Sequence, residues 1–139
     1  MFLALCAISA YISLVDLKTK KITNRSLVIS ALIFSAISIV KFAEIHLGSV
    51  LLVLLFSPIM IYFGIGAGDV KLLLLLSVFF IPFSLTALND FLVGLSVISA
   101  ILITLHRVRS KSSNASIAFA PAICGAVIWC ARSQLFLPQ

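Results

Sequence analysis

Six long apolar runs, separated by short polar or charged links, constrain this chain more than any other feature. They lie near 2–15, 26–43, 47–65, 72–88, 91–105 and 115–131. A helix needs about 20 mostly apolar residues to cross a bilayer, with a range near 17–25. The runs at 47–65 and 72–88 fit that length most clearly. The first and fifth are short, and reach the interface by taking in flanking residues, by tilting among neighbours or by local thinning of the bilayer. Composition leaves little alternative. The 139 residues are 63% hydrophobic and only 10% charged, against about 25% charged in a soluble domain. That is too little polar surface to cover a globule in water. The expectation is an all-α, polytopic membrane protein of about six transmembrane helices, with residues 1–139 forming one domain.

The charges then give an orientation. A formal net charge of +6 raises the question of nucleic acid in a soluble protein. In a membrane protein it bears first on topology, because Lys and Arg collect on the cytoplasmic side. Lys18, Lys20, Lys21 and Arg25 follow the first run, Lys71 precedes the fourth, and Arg107, Arg109 and Lys111 follow the fifth. All eight fall on one side of a six-span chain. Lys41 and Arg132 fall on the other. The eight-charge side is therefore expected to be cytoplasmic, with both termini non-cytoplasmic, and no nucleic-acid partner is implied. Met1-Phe2-Leu3-Ala4 has no basic start, so the first run reads as a retained helix rather than a cleaved signal. Cys6, Cys124 and Cys130 lie in apolar runs and form no C-x-x-C pair, which gives no metal or redox motif. Pro58 and Pro82 read as packing bends, and Pro121 as shaping the cytoplasmic start of the sixth span.

The four acids separate by side. Glu44 and Asp90 fall in outward links and read as solvated turn carboxylates. Asp16 ends the first span and Asp69 opens the fourth, on the same cytoplasmic side. Acids at the edge of a membrane span are costly and point to function. Two carboxyls close together cannot both ionise easily, so one holds its proton. One can then take a proton from water while the other donates to a substrate carbonyl, the division of labour of a two-aspartate protease. His46 lies on the outer side, and His106 has no acid or cysteine beside it. No metal and no cofactor is required.

Gly66 and Gly68 flank this position. They permit positive φ or the close approach of another backbone, and so leave room for an extended peptide against Asp69. Read alone, they also fit a simple turn between helices. A nucleotide-binding loop is not supported, because the strand–loop–helix setting and the later ribose-binding acid are missing.

Gly66-Ala67-Gly68-Asp69, followed by Val70-Lys71-Leu72, resembles the GxGD motif of the type IV prepilin peptidases, which are membrane aspartic proteases. Asp16-Leu17-Lys18-Thr19-Lys20-Lys21-Ile22-Thr23-Asn24 resembles the other half of their signature, an aspartate closing the first span before a basic run and a turn. The resemblance implies that Asp16 and Asp69 are the catalytic pair. They would remove the short basic leader of a prepilin-like substrate at the cytoplasmic face of the inner membrane, after a glycine and ahead of the substrate's apolar helix. Thr23 stands where the family often has proline, which relaxes the turn. The chain has no segment of paired C-x-x-C motifs, so it is similar to the short, peptidase-only forms serving Flp or Tad pili, without a separate methyltransferase segment. Lys71 reads as a topology-setting cation or a tuner of Asp69, and Asn24 as a group orienting a loop or the substrate. The other readings are a small proton-coupled transporter or channel subunit, which would need acids through the membrane depth, and a non-catalytic pilus assembly scaffold.

Overall fold

A computed structural model describes residues 2–19, 22–41, 45–62, 65–109 and 119–136, with the side chains of 106–109 and 135–136 excepted. Glu44, Lys20, Lys21 and Lys111 lie outside the described residues, as do the side chains of His106, Arg107 and Arg109. The described residues form six α-helices and no strand: α1 (Phe2–Thr19), α2 (Asn24–Lys41), α3 (Leu47–Tyr62), α4 (Ala67–Phe80), α5 (Leu85–Arg109) and α6 (Ala120–Phe136). Three are long and apolar enough to cross a membrane: Phe2–Thr19, Asn24–Lys41 and Leu85–Leu105.

The ranking of the spans is thus corrected. The runs expected to be clearest give the two shortest helices, α3 with 16 residues and α4 with 14. At ~1.5 Å per residue α4 is only about 21 Å long. The cause is Pro82. A proline lacks the N–H and holds the residue before it in extended backbone, and Ile81 at the end of α4 has φ −112° and ψ 99°. Pro82 is therefore a break between helices and not a bend within one. The last residues of the 72–88 run belong to α5. Ser84 starts that helix, accepting the Ala87 N–H on its hydroxyl at 3.2 Å and the Leu88 N–H on its carbonyl at 3.0 Å. Pro58 does lie inside α3. Pro121 occupies the first turn of α6, where a missing N–H costs nothing.

Cross-chain contacts sort the helix ends into two groups. At one end Asp16 of α1 meets Ala120 of α6, and Asn24 of α2 meets Lys71 of α4. At the other end the His46 N–H donates to the Val78 carbonyl at 3.0 Å. There Ser133 of α6 also donates to Asp90 of α5 at 2.7 Å. Asp90 is consequently not a solvated turn carboxylate. It lies in α5 and ties that helix to α6 through the Ser133 hydroxyl.

α4 and α6 are the inner helices. α4 packs on α2, α3 and α6, and α6 also packs on α1 and α5. The core they share includes Leu5, Phe34, Leu72, Leu76, Ile123 and Val127. The Phe34 ring stands edge-on to Phe80 at a centroid distance of 5.0 Å. Small residues bring α5 and α6 close. A Cβ on Gly94 would lie 3.3 Å from Trp129 and 3.4 Å from the Ala126 backbone. This is the packing expected where hydrophobic exclusion from water does not drive helices together. The outward faces carry exposed Leu3, Leu32, Val40, Leu55 and Trp129, an apolar surface of the kind a membrane protein presents. Cys124 and Cys130 are buried and free, as expected of small apolar side chains.

Candidate active site

Asp16 is positioned by the periodicity of α1. The buried residues of that helix are Leu5, Ser9, Ile12 and Asp16, spaced along one face of a 3.6-residue helix. Asp16 is only 5% exposed. A carboxylate so deeply placed needs hydrogen-bond donors. It receives one from the Ala120 N–H at 3.2 Å, across 104 residues of chain. Ala120 opens α6, where the first-turn N–H groups have no partner inside the helix and the helix dipole presents its positive end. Asp16 thus serves as a cap for a helix at the far end of the sequence.

Asp69 is positioned by the start of α4. Gly66 precedes the helix in extended backbone, φ −61° and ψ 141°. Its carbonyl accepts the Asp69 N–H at 2.9 Å and the Val70 N–H at 3.1 Å. Asp69 lies in the first turn, ahead of the apolar run that begins at Leu72. Burial and then the neighbouring Asp16 carboxylate push the Asp69 carboxyl up to about 6, against the opposing effect of a hydrogen bond with the Gly66 backbone. The two aspartates therefore sit close enough for one to feel the other's charge. Both fields also reach the Cys124 thiol on α6, which has the Ser9 and Ser13 hydroxyls beside it.

Of the two uses expected of the glycines, close approach is the one realised. Gly66 does not use positive φ, and nor does Gly68. Their role is space. A Cβ on Gly66 would come within 3.1 Å of the Asp69 Oδ2. A Cβ on Gly68 would come within 3.3 Å of the Ile22 Cβ and 3.8 Å of its carbonyl. Gly68 thus lets the α1–α2 link lie against the start of α4. Gly66 leaves the carboxyl of Asp69 itself unobstructed.

Lys71 and Asn24 come together. The Lys71 Nζ donates to the Asn24 Oδ1 at 3.3 Å. This joins the α1–α2 turn to α4 on the exposed edge of the site. Thr23 closes that link. Its hydroxyl accepts the Ser26 N–H at 3.3 Å and pairs with the Ser26 hydroxyl at 2.8 Å, so it caps α2 in the usual manner of Ser and Thr. No group of three or more His, Cys, Asp or Glu able to hold a metal occurs among the described residues.

Sequence reasoning brought Asp16, Asp69, Gly66, Gly68, Lys71 and Asn24 to one end of the bundle, and the structure assembles all six there. It did not find Ala120, Ile22 or Cys124. Only Pro121, marking the start of the sixth span, hinted that α6 enters the site.

A family profile described as the type IV leader peptidase family matches residues 3–130. The chain belongs to that family. The match takes in α1 through most of α6 and both aspartates. Comparison with curated proteins and with solved structures gives no match. Membership supports the prepilin peptidase resemblance read from the two motifs, and a peptidase activity in general.

Gly68 yields a stability prediction. Valine there must displace the Ile22 Cβ, which is fixed to the backbone of the link. We expect Gly68→Val to destabilise by about 1–3 kcal/mol, read as a lower unfolding midpoint in detergent. An unchanged midpoint would mean that the link is not seated on α4.

Proposed function

We propose that this chain is a membrane aspartic endopeptidase that removes the leader of prepilin-like proteins, with Asp16 and Asp69 as the catalytic pair. The observation that carries the reading is the meeting of these two acids, 53 residues apart in sequence, at one end of the bundle. Family membership supplies the class of activity. Asp69, its carboxyl pushed up to about 6, acts in its protonated form as the acid. Asp16 is the base. It takes a proton from water as the oxygen adds to the scissile carbonyl carbon, and Asp69 gives its proton to the carbonyl oxygen. The tetrahedral intermediate then collapses. The C–N bond breaks, the amine leaves with the proton held by Asp16, and Asp69 recovers its own. No metal or cofactor takes part. The Ala120 N–H fixes the Asp16 carboxyl, and Gly66 keeps the Asp69 carboxyl clear.

The chain, as one domain over residues 1–139, crosses the inner membrane with six helices and both termini outside the cytoplasm. The site end carries Lys18, Arg25 and Lys71 and faces the cytoplasm by the positive-inside rule. Lys71, bound to Asn24, is a cation of that edge and not the partner of Asp69. Among the described residues the acids form no relay through the bundle, since Asp16 and Asp69 share one end and Asp90 at the other is bound to Ser133. That pattern favours a protease over a proton-coupled transporter.

Cleavage of a precursor with a basic leader, followed by mass, tests the pair directly. Asp16→Asn and Asp69→Asn should each lower kcat by about 10²–10⁴-fold, the usual worth of a general acid or base, and cleavage surviving in both variants would refute the reading. The pH profile separates the roles. Because Asp69 must be protonated, kcat/KM should decline as pH rises through about 6. A rate still climbing at pH 8 would remove Asp69 from the acid role. Orientation is open to labelling in a background lacking Cys6, Cys124 and Cys130. Lys18→Cys should react with an impermeant maleimide only from the cytoplasm, and Phe83→Cys only from the opposite side. The reverse pattern would invert the topology.

A further inference from the structure

Beside the aspartates lies a second feature that the reaction scheme leaves unused. Among the described residues the backbones of α3 and α5 do not approach each other; α3 packs on α4 and α5 on α6. Between them opens a cavity of about 500 Å³. Leu52 and Phe56 of α3 form one wall, Leu88 and Leu92 of α5 the other, and Leu73 and Ser77 of α4 the floor. No charged residue lines it. The Ser77 hydroxyl is already bonded to the Leu74 carbonyl at 2.8 Å, so the floor is apolar in effect.

The cavity has a direction. One end is closed by the Ile81–Leu85 connection between α4 and α5. At the other end Met60, Ile65 and Leu73 also line a small pocket that includes Asp69 and Phe119. The groove thus adjoins the pocket at Asp69, with Met60, Ile65 and Leu73 shared between them. Along α3 it extends from Ser49 to Met60, about 16 Å or three turns of helix.

We propose that this groove seats an apolar helix of the substrate, with the scissile bond just beyond the helix end at Asp69. This inference rests on the peptidase reading and names where that substrate binds. The occupant follows from the surroundings. At membrane depth a polypeptide must satisfy its backbone hydrogen bonds internally, so an extended strand is excluded and a helix is required. The groove has no charge to pair, so the helix is apolar. Leu, Ile or Val side chains at i, i+3, i+4 and i+7 meet walls with that same spacing, since Ser49, Leu52, Val53 and Phe56 repeat it on α3. Leader residues, by contrast, are handled outside the groove, at the end where the carboxyls and the Lys71–Asn24 pair stand.

The test uses full-length protein in nanodiscs and a synthetic precursor. That precursor carries a basic leader, a glycine at the cut and an apolar helix of about 20 residues. A photo-crosslinking residue replaces Leu92 in the groove, or Leu32 on the exposed face of α2, both in Asp69→Asn protein. We expect crosslinks to the precursor's apolar helix from position 92 and not from 32. Crosslinks at 92 to phospholipid alone, or equal yields at both positions, overturn the proposal in favour of an acyl chain filling the groove. Kinetics give a second measure. The ratio of kcat/KM for the precursor to that for a short peptide lacking the apolar helix should drop about tenfold or more in Leu52→Trp and Leu92→Trp, equivalent to about 1.4 kcal/mol. It should not change in Leu32→Trp. An unchanged ratio in the groove variants, with the wild type cleaving normally, refutes the groove and leaves the peptidase reading intact. A wild type that cleaves neither substrate refutes the peptidase reading, while the crosslinks still judge the groove.

Discussion

The hydrogen bond from the Ala120 N–H to the Asp16 carboxylate holds the two ends of this chain together. A charge 5% exposed in an apolar bundle is tolerable only where donors meet it. A helix N-terminus needs acceptors for its first N–H groups. Each problem resolves the other, and α1 is thereby docked on α6. With α6 against α4, the same contact brings Asp16 within electrostatic reach of Asp69. Removing the carboxylate would leave the start of α6 without its cap as well as the site without one of its acids.

Small residues do the remaining positioning, through volume and not through unusual backbone angles. Gly68 lets the α1–α2 link rest on α4, and Gly66 keeps the Asp69 carboxyl from meeting a side chain. Gly94 closes α5 on α6 in the same way. One turn away, the Ser133–Asp90 bond also holds α5 to α6. Among the described residues the helix packed on α3 is α4 and the helix packed on α5 is α6. The apolar gap between them is what remains when two outer helices each bind an inner one and not each other.

Much of this architecture was legible in the sequence, for clear physical reasons. Hydropathy located six helices because a bilayer demands long apolar runs. The two acids were paired because eight basic residues placed their links on one side. Helix lengths were less accessible. A hydropathy run counts side chains and ignores the backbone, so 72–88 read as one span although Pro82 divides it. Which face of each helix turns inward was also hidden, because lipid and core are equally apolar. On α1 only the spacing of Ser9 and Asp16 marks the inner face.

The sequence by itself determined the class of protein and the six helices of the described residues, and it singled out Asp16 and Asp69, since these depend on composition and local order along the chain. Tertiary structure alone decided that the Ala120 amide donates to Asp16, that Lys71 turns to Asn24, that Asp90 binds Ser133 and that a groove adjoins the pocket at Asp69. Each joins residues distant in the chain, and their meeting depends on which helix packs on which. In a bundle whose faces are nearly all apolar, that choice is made by shape and a few hydrogen bonds, and neither is written in hydropathy.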